Sequence, residues 1–103
     1  MNPVFVVIGS TGEYSDRTEW VVCAYKDEEL AKQHVVLAKQ RAQEIRVTRN
    51  DLVFPYHRES KAPYVYFGGK PEEPASRYDL FIRVDYTGTD YWYTTTEIRE
   101  SLP

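Results

Sequence analysis

The opening apolar run, PVFVVIG from Pro3 to Gly9, is β-branched and aromatic and ends in glycine, which predicts a strand. Val4, Val6 and Ile8 occupy one parity and Phe5 and Val7 the other, so both faces are greasy and the strand belongs in a sheet covered on both sides. EWVVCAYK, Glu19 to Lys26, has the same character and predicts a second strand, with Cys23 as a small buried hydrophobe. The period then changes. Leu30, His34, Leu37, Ala38, Arg41, Ala42 and Ile45 recur at helical spacing, which predicts a helix of about 18–20 residues with one buried stripe. Asp27 caps it, Glu28 and Glu29 suit its positive end, and Lys39, Arg41 and Arg46 populate its C-terminal half. His34, at the edge of the stripe, reads as a packing residue.

Residues 47–77 are broken by Pro55, Pro63, Pro71 and Pro74. Within them DLVFPYH and APYVYFGG predict short strands, and KPEEPAS an exposed turn. RYDLFIRVDY and DYWYTTTEI then read as a hairpin around TGT. In the first of these, Tyr78, Leu80, Ile82 and Val84 face inward, while Asp79, Arg83 and Asp85 face water. The sum is a single α+β domain over residues 1–103, with one amphipathic helix on a mostly antiparallel sheet of about four to six strands in β-β-α-β-β-β order. One helix covers one sheet face. The other needs the 47–77 segment, a second copy of the chain (a homodimer) or a foreign protein.

Composition narrows the function classes. Of 103 residues 15% are aromatic, nine of them tyrosine. The single cysteine cannot form an intramolecular disulfide, and the first apolar run lacks the basic flank of a signal peptide, so the expected location is the cytoplasm, without a membrane segment. One cysteine and two histidines, His34 and His57, cannot fill a zinc site without carboxylates, and no cofactor motif is present. The net charge of −3 argues against nonspecific duplex binding, yet residues 39–61 carry six basic side chains against three acidic. Lys39, Arg46, Arg49, Arg58 and Lys61 therefore form an alternative, nucleic-acid-binding set.

GSTGEYSDRTEW, Gly9 to Trp20, is far more polar than a turn requires. It lacks the lysine of a phosphate-binding loop and leads into a strand rather than a helix. Glu13, Tyr14, Asp16 and Arg17 suit a self-braced loop, with Arg17 pairing with an acid, that also offers a contact surface. Tyr64, Tyr66 and Trp92 join them as aromatic anchors, tyrosine, tryptophan and arginine being the residues that dominate protein interfaces. In Tyr91-Trp92-Tyr93 at least one ring must point away from the helix-covered core. A hydrolase or nuclease built on Glu13, Asp16 and His57 is the weakest of these readings.

The segment Val4–Ala42, with VFVVIGS, GEYSDR and KDEELAKQ, resembles a group of short uncharacterised bacteriophage and prophage proteins, and YWYTTTEI is similar to their closing strand. Residues 43–90 have no counterpart in that resemblance. It implies a small α+β domain in a bacterial cytoplasm and no catalytic residues. Together these readings predict a non-enzymatic phage or prophage accessory factor that binds and modulates a host protein.

Overall fold

The computed structural model describes residues 2–12, 17–48, 65–69, 72–85 and 87–102, with the backbone alone at 65–67 and 85. The elements run β1 (Pro3–Thr11), β2 (Thr18–Tyr25), α1 (Glu28–Thr48), β3 (Val65–Phe67), β4 (Arg83–Asp85) and β5 (Thr89–Glu97), an α+β fold in the expected order. The strands divide into two antiparallel sheets, β2-β1-β5 and β3-β4. Expected strand DLVFPYH lies outside the described residues.

Helix α1 begins as its sequence requires. The Glu29 amide donates to Asp27 Oδ1 at 2.8 Å, so Asp27 is the cap. Its buried stripe agrees with the expected one at Ala38, Ala42 and Ile45 and differs at the remaining positions. Ala31, Val35, Ala38, Ala42 and Ile45 face the core, whereas Leu30 and Leu37 are exposed and His34 and Arg41 half-buried. The reason lies across the interface. The sheet presents large rings, with Tyr91 buried and Phe5, Tyr25 and Tyr93 packed against the same cluster. Three alanines let the helix axis approach, and larger leucines are displaced to its flanks.

Strand β1 is central, and its two parities separate cleanly. Val7 is fully buried in the cluster beneath α1 and Phe5 packs against it; on the other face Val4 is buried and Val6 and Ile8 are half-buried. β2 carries a bulge. Val7 pairs with Cys23 but Ile8 with Val21, leaving Val22 as the extra residue. A one-residue insertion exchanges the two faces of the strand on either side of it, so Trp20 and Cys23 both face α1 although an odd number of positions separates them. This corrects the expectation of a second strand covered on both faces: Val21 is 62% exposed and Ala24 is exposed as well.

The expected terminal hairpin does not form. β5 pairs with β1 along its whole length, from Pro3 opposite Glu97 to Thr11 opposite Thr89, and β4 pairs with β3. The turn between β4 and β5 therefore carries the chain from one sheet to the other. Threonine side chains bind backbone groups around this turn: Thr89 Oγ1 donates to Arg83 O at 2.6 Å, Thr11 Oγ1 donates to Gly88 O at 2.8 Å, and the Gly12 amide donates to Thr87 Oγ1 at 3.1 Å.

Residues 78–82 are likewise no strand. Ile82 is buried as expected, but Asp79, expected in water, is 2% exposed, and Leu80, expected inside, stands in solvent beside Phe81. The expected exposed turn KPEEPAS contains a 3-10 turn at Pro74–Ser76 whose Ala75 and Ser76 are buried. In both places a polar side chain holds the backbone in place: Ser76 Oγ accepts from the Gly69 amide at 2.9 Å, and Asp79 Oδ1 from the Phe81 amide at 3.0 Å.

Candidate functional site

Two polar clusters lie between the sheet and α1. In the first, Asp79 accepts through Oδ2 from Trp20 Nε1 and from the Tyr91 hydroxyl, both at 2.8 Å, and through Oδ1 from the Phe81 amide. A buried carboxylate is tolerable when its lone pairs meet donors, and here three converge on it. Burial, and then the adjacent Asp79 charge, push the Tyr91 hydroxyl far above the usual phenol range, so it remains a donor. The cluster is closed on itself and ties β2 and β5 to the 78–82 segment.

The second cluster surrounds His34. Nε2 lies 2.6 Å from the carbonyl oxygen of Tyr78, to which it donates. In the neutral ring this leaves Nδ1 to accept from the Tyr25 hydroxyl at 2.7 Å. Cys23 Sγ sits 3.7 Å and 3.8 Å from the two ring nitrogens. A cysteine beside a histidine raises the question of a nucleophile. Burial, reinforced by the charge of Asp79, pushes the Cys23 thiol up rather than down, which is the opposite of activation. His34 is thus a packing residue that joins α1, β2 and the 78–82 segment. Among the described residues no group of three or more His, Cys, Asp or Glu side chains could hold a metal.

The face of β2-β1-β5 turned away from α1 has a different chemistry. Arg17 lies at the entry to β2, and its guanidinium carbon is 5.6 Å from the centroid of the Trp92 ring on β5, a cation–π contact that spans the sheet. Arg17 Nε also pairs with Glu19 at 3.1 Å, the acid partner expected for it. Val6 and Ile8 run down the middle, Val21 and Ala24 lie on one side, and Trp92, Thr94 and Thr96 lie on the other. The face is a band of aliphatic groups with one arginine–tryptophan pair at its end.

Of the expected contact residues the structure brings Arg17 and Trp92 together. Tyr66 pairs its backbone with Val84 in the smaller sheet, while Glu13, Tyr14, Asp16 and Tyr64 lie outside the described residues. Of the alternative basic set, Lys39 pairs with Asp90 at 3.5 Å, and Arg46 is half-buried, with Nη1 3.9 Å from where a Cβ on Gly88 would stand. Arg49, Arg58, Lys61 and His57 lie outside the described residues. Residues that sequence reasoning missed are Val21, hidden by the bulge, and Asp79, whose donors come from remote parts of the chain.

No protein-family model, no curated protein and no solved structure matches this chain. No helix among the described residues is long and apolar enough to cross a membrane.

Proposed function

We propose that this chain is a small non-enzymatic interaction protein whose contact surface is the sheet face opposite α1. The observation that carries the reading is the Arg17–Trp92 pair, set on a face whose Val21 side chain stands 62% exposed. Tryptophan and arginine are the side chains most often responsible for binding energy at interfaces, and an aliphatic surround excludes water from them. The interior clusters support the non-enzymatic part. Asp79 spends its oxygens on internal donors, and the Cys23 thiol is held in its neutral form. The resemblance of Val4–Ala42 to phage proteins extends the proposal to an accessory factor acting on a host protein. Nucleic-acid binding gains nothing from the described residues, because Lys39 is paired with Asp90.

A photo-crosslinking amino acid placed at Val21, with a second placed at Gln43 on α1 as a control, tests the surface in bacterial cells. The reading requires a discrete crosslinked species from position 21 and none of that mass from position 43. Equal crosslinking at both positions, or none at either, contradicts it.

A further inference from the structure

The larger sheet has two edges, and they differ. β2 is interrupted by the bulge at Val22, one of the devices by which natural sheets keep another strand from pairing with an edge. β5 is uninterrupted. It runs for nine residues in unbroken register with β1 and contains neither proline nor lysine. Its last bond shows which backbone groups look outward. The Ile98 amide donates to Asn2 O at 3.0 Å, one step beyond the pairing of Pro3 with Glu97, so the even-numbered residues of β5 turn N–H and C=O toward β1. Tyr91, Tyr93, Thr95 and Glu97 turn theirs away. The outward Tyr91 amide is taken by Asp90 Oδ1 at 2.9 Å. The amides and carbonyls of Tyr93, Thr95 and Glu97 meet no partner among the described residues.

The geometric complement of such an edge is another strand, and the side chains decide which one. Trp92 to Ile98 reads WYTTTEI: a threonine on each side of Thr95, and one large apolar residue three positions away in each direction. Laid antiparallel on itself about Thr95, the strand sets Trp92 against Ile98, Thr94 against Thr96 and Thr95 against its own copy. Aromatic–β-branched and Thr–Thr pairs are favourable cross-strand combinations. Both apolar ends have surface left to bury, Ile98 being 45% exposed and Trp92 half-buried. Thr94, Thr95, Thr96 and Glu97 are all exposed. Pairing Thr95 with Thr95, and Tyr93 with Glu97 twice, exchanges about six backbone hydrogen bonds, within the range of about five to fifteen at typical interfaces.

We infer that β5 is a self-association edge: a second copy of this chain pairs with it antiparallel about Thr95, joining two three-stranded sheets into one. A two-fold contact uses the same patch on both copies and closes at the dimer. Only the bulged β2 edges then remain outward. The inference stands apart from the interaction reading of the open face. β2 is the strand farthest from this edge, so crosslinking at Val21 reports on that face whether or not β5 pairs.

Sedimentation velocity on the full chain, from about 10 µM to about 1 mM, tests it. The expected result is a reversible monomer–dimer shift across that range. Thr95→Lys sets like charges opposite each other at an exposed position, and should weaken the dimer at least about tenfold with the melting temperature unchanged. A second measurement reads the register. Thr94 and Thr96 would face each other as a non-hydrogen-bonded pair with Cα atoms about 4.5 Å apart, within disulfide reach. Thr94→Cys and Thr96→Cys chains, mixed and oxidised, should therefore yield at least about tenfold more crosslinked dimer than either chain alone. Three results overturn the inference: a monomer at about 1 mM, a Thr95→Lys chain that dimerises as tightly as the unaltered one, or mixed cysteine chains that crosslink no more than each alone.

Discussion

Trp20 and Tyr91, on the two outer strands of the larger sheet, donate to the same oxygen atom, Asp79 Oδ2, each at 2.8 Å. The carboxylate between them joins both edges of the sheet to the segment that leads into β4. Replacing Asp79 by alanine strands the buried Tyr91 hydroxyl, the half-buried Trp20 indole N–H and the Phe81 amide. The cost expected for such unsatisfied groups is about 3 kcal/mol or more, which lowers the melting temperature of a domain this size by roughly 12–20 °C. Urea and thermal unfolding of Asp79→Ala against the unaltered protein measure it, and a loss below about 1 kcal/mol would show the cluster to be incidental.

The same contact sets an alkaline limit. Because burial and the neighbouring Asp79 raise the Tyr91 hydroxyl in the folded state, the unfolded chain is the one that gives up this proton first. The stabilisation is fully present below the unfolded phenol value of about 10 and is lost as pH rises above it. Stability should therefore fall from about pH 10 upward, and Tyr91→Phe, less stable at neutral pH by about 1–2 kcal/mol, should show a shallower fall. Urea midpoints between neutrality and pH 11 separate the two slopes.

Cys23 supplies a chemical readout of the second cluster. Its thiol, raised by burial and by Asp79, should react with a disulfide reagent at pH 7.5 at least about tenfold more slowly in the native protein than in urea. Its reactivity should climb only above the ordinary thiol range. A native rate equal to the unfolded rate would mean that the thiol lies open to solvent.

Gly9 should tolerate no side chain. A Cβ there would come within 2.8–2.9 Å of three atoms of the Trp20 indole, which is pinned at its nitrogen and cannot swing aside without breaking its bond to Asp79. Gly9→Ala should cost about 1–3 kcal/mol and shift the Trp20 indole N–H resonance. Retention of both stability and that resonance would contradict the close packing.

How much of the fold is legible in the sequence depends on the range of the forces involved. β1, β2 and α1 are legible because each rests on a local period, and the Asp27 cap because capping is a contact between near neighbours. The stripe of α1 is legible in part: the period finds Ala38, Ala42 and Ile45, but size rather than polarity puts Ala31 and Val35 against the sheet in place of Leu30 and Leu37. The bulge at Val22 adds one residue to β2, which period alone cannot detect, and it alone decides that Trp20 turns inward and Val21 outward. Asp79 has the pattern of a wet-face residue because its donors, Trp20 and Tyr91, lie far away along the chain. Of the contact surface, Arg17 and Trp92 are recognisable by residue type, while their meeting across three strands is not.

The claim that the face opposite α1 is the contact surface is tested most directly by quantitative affinity capture from bacterial lysate, using the unaltered chain, Val21→Glu, Trp92→Ala and a Gln43→Ala control, all with melting temperatures first measured. A protein retained by the unaltered chain and by Gln43→Ala, and depleted at least about tenfold on Val21→Glu and Trp92→Ala, is the predicted result. Equal retention by all four chains, with their folds intact, would contradict it.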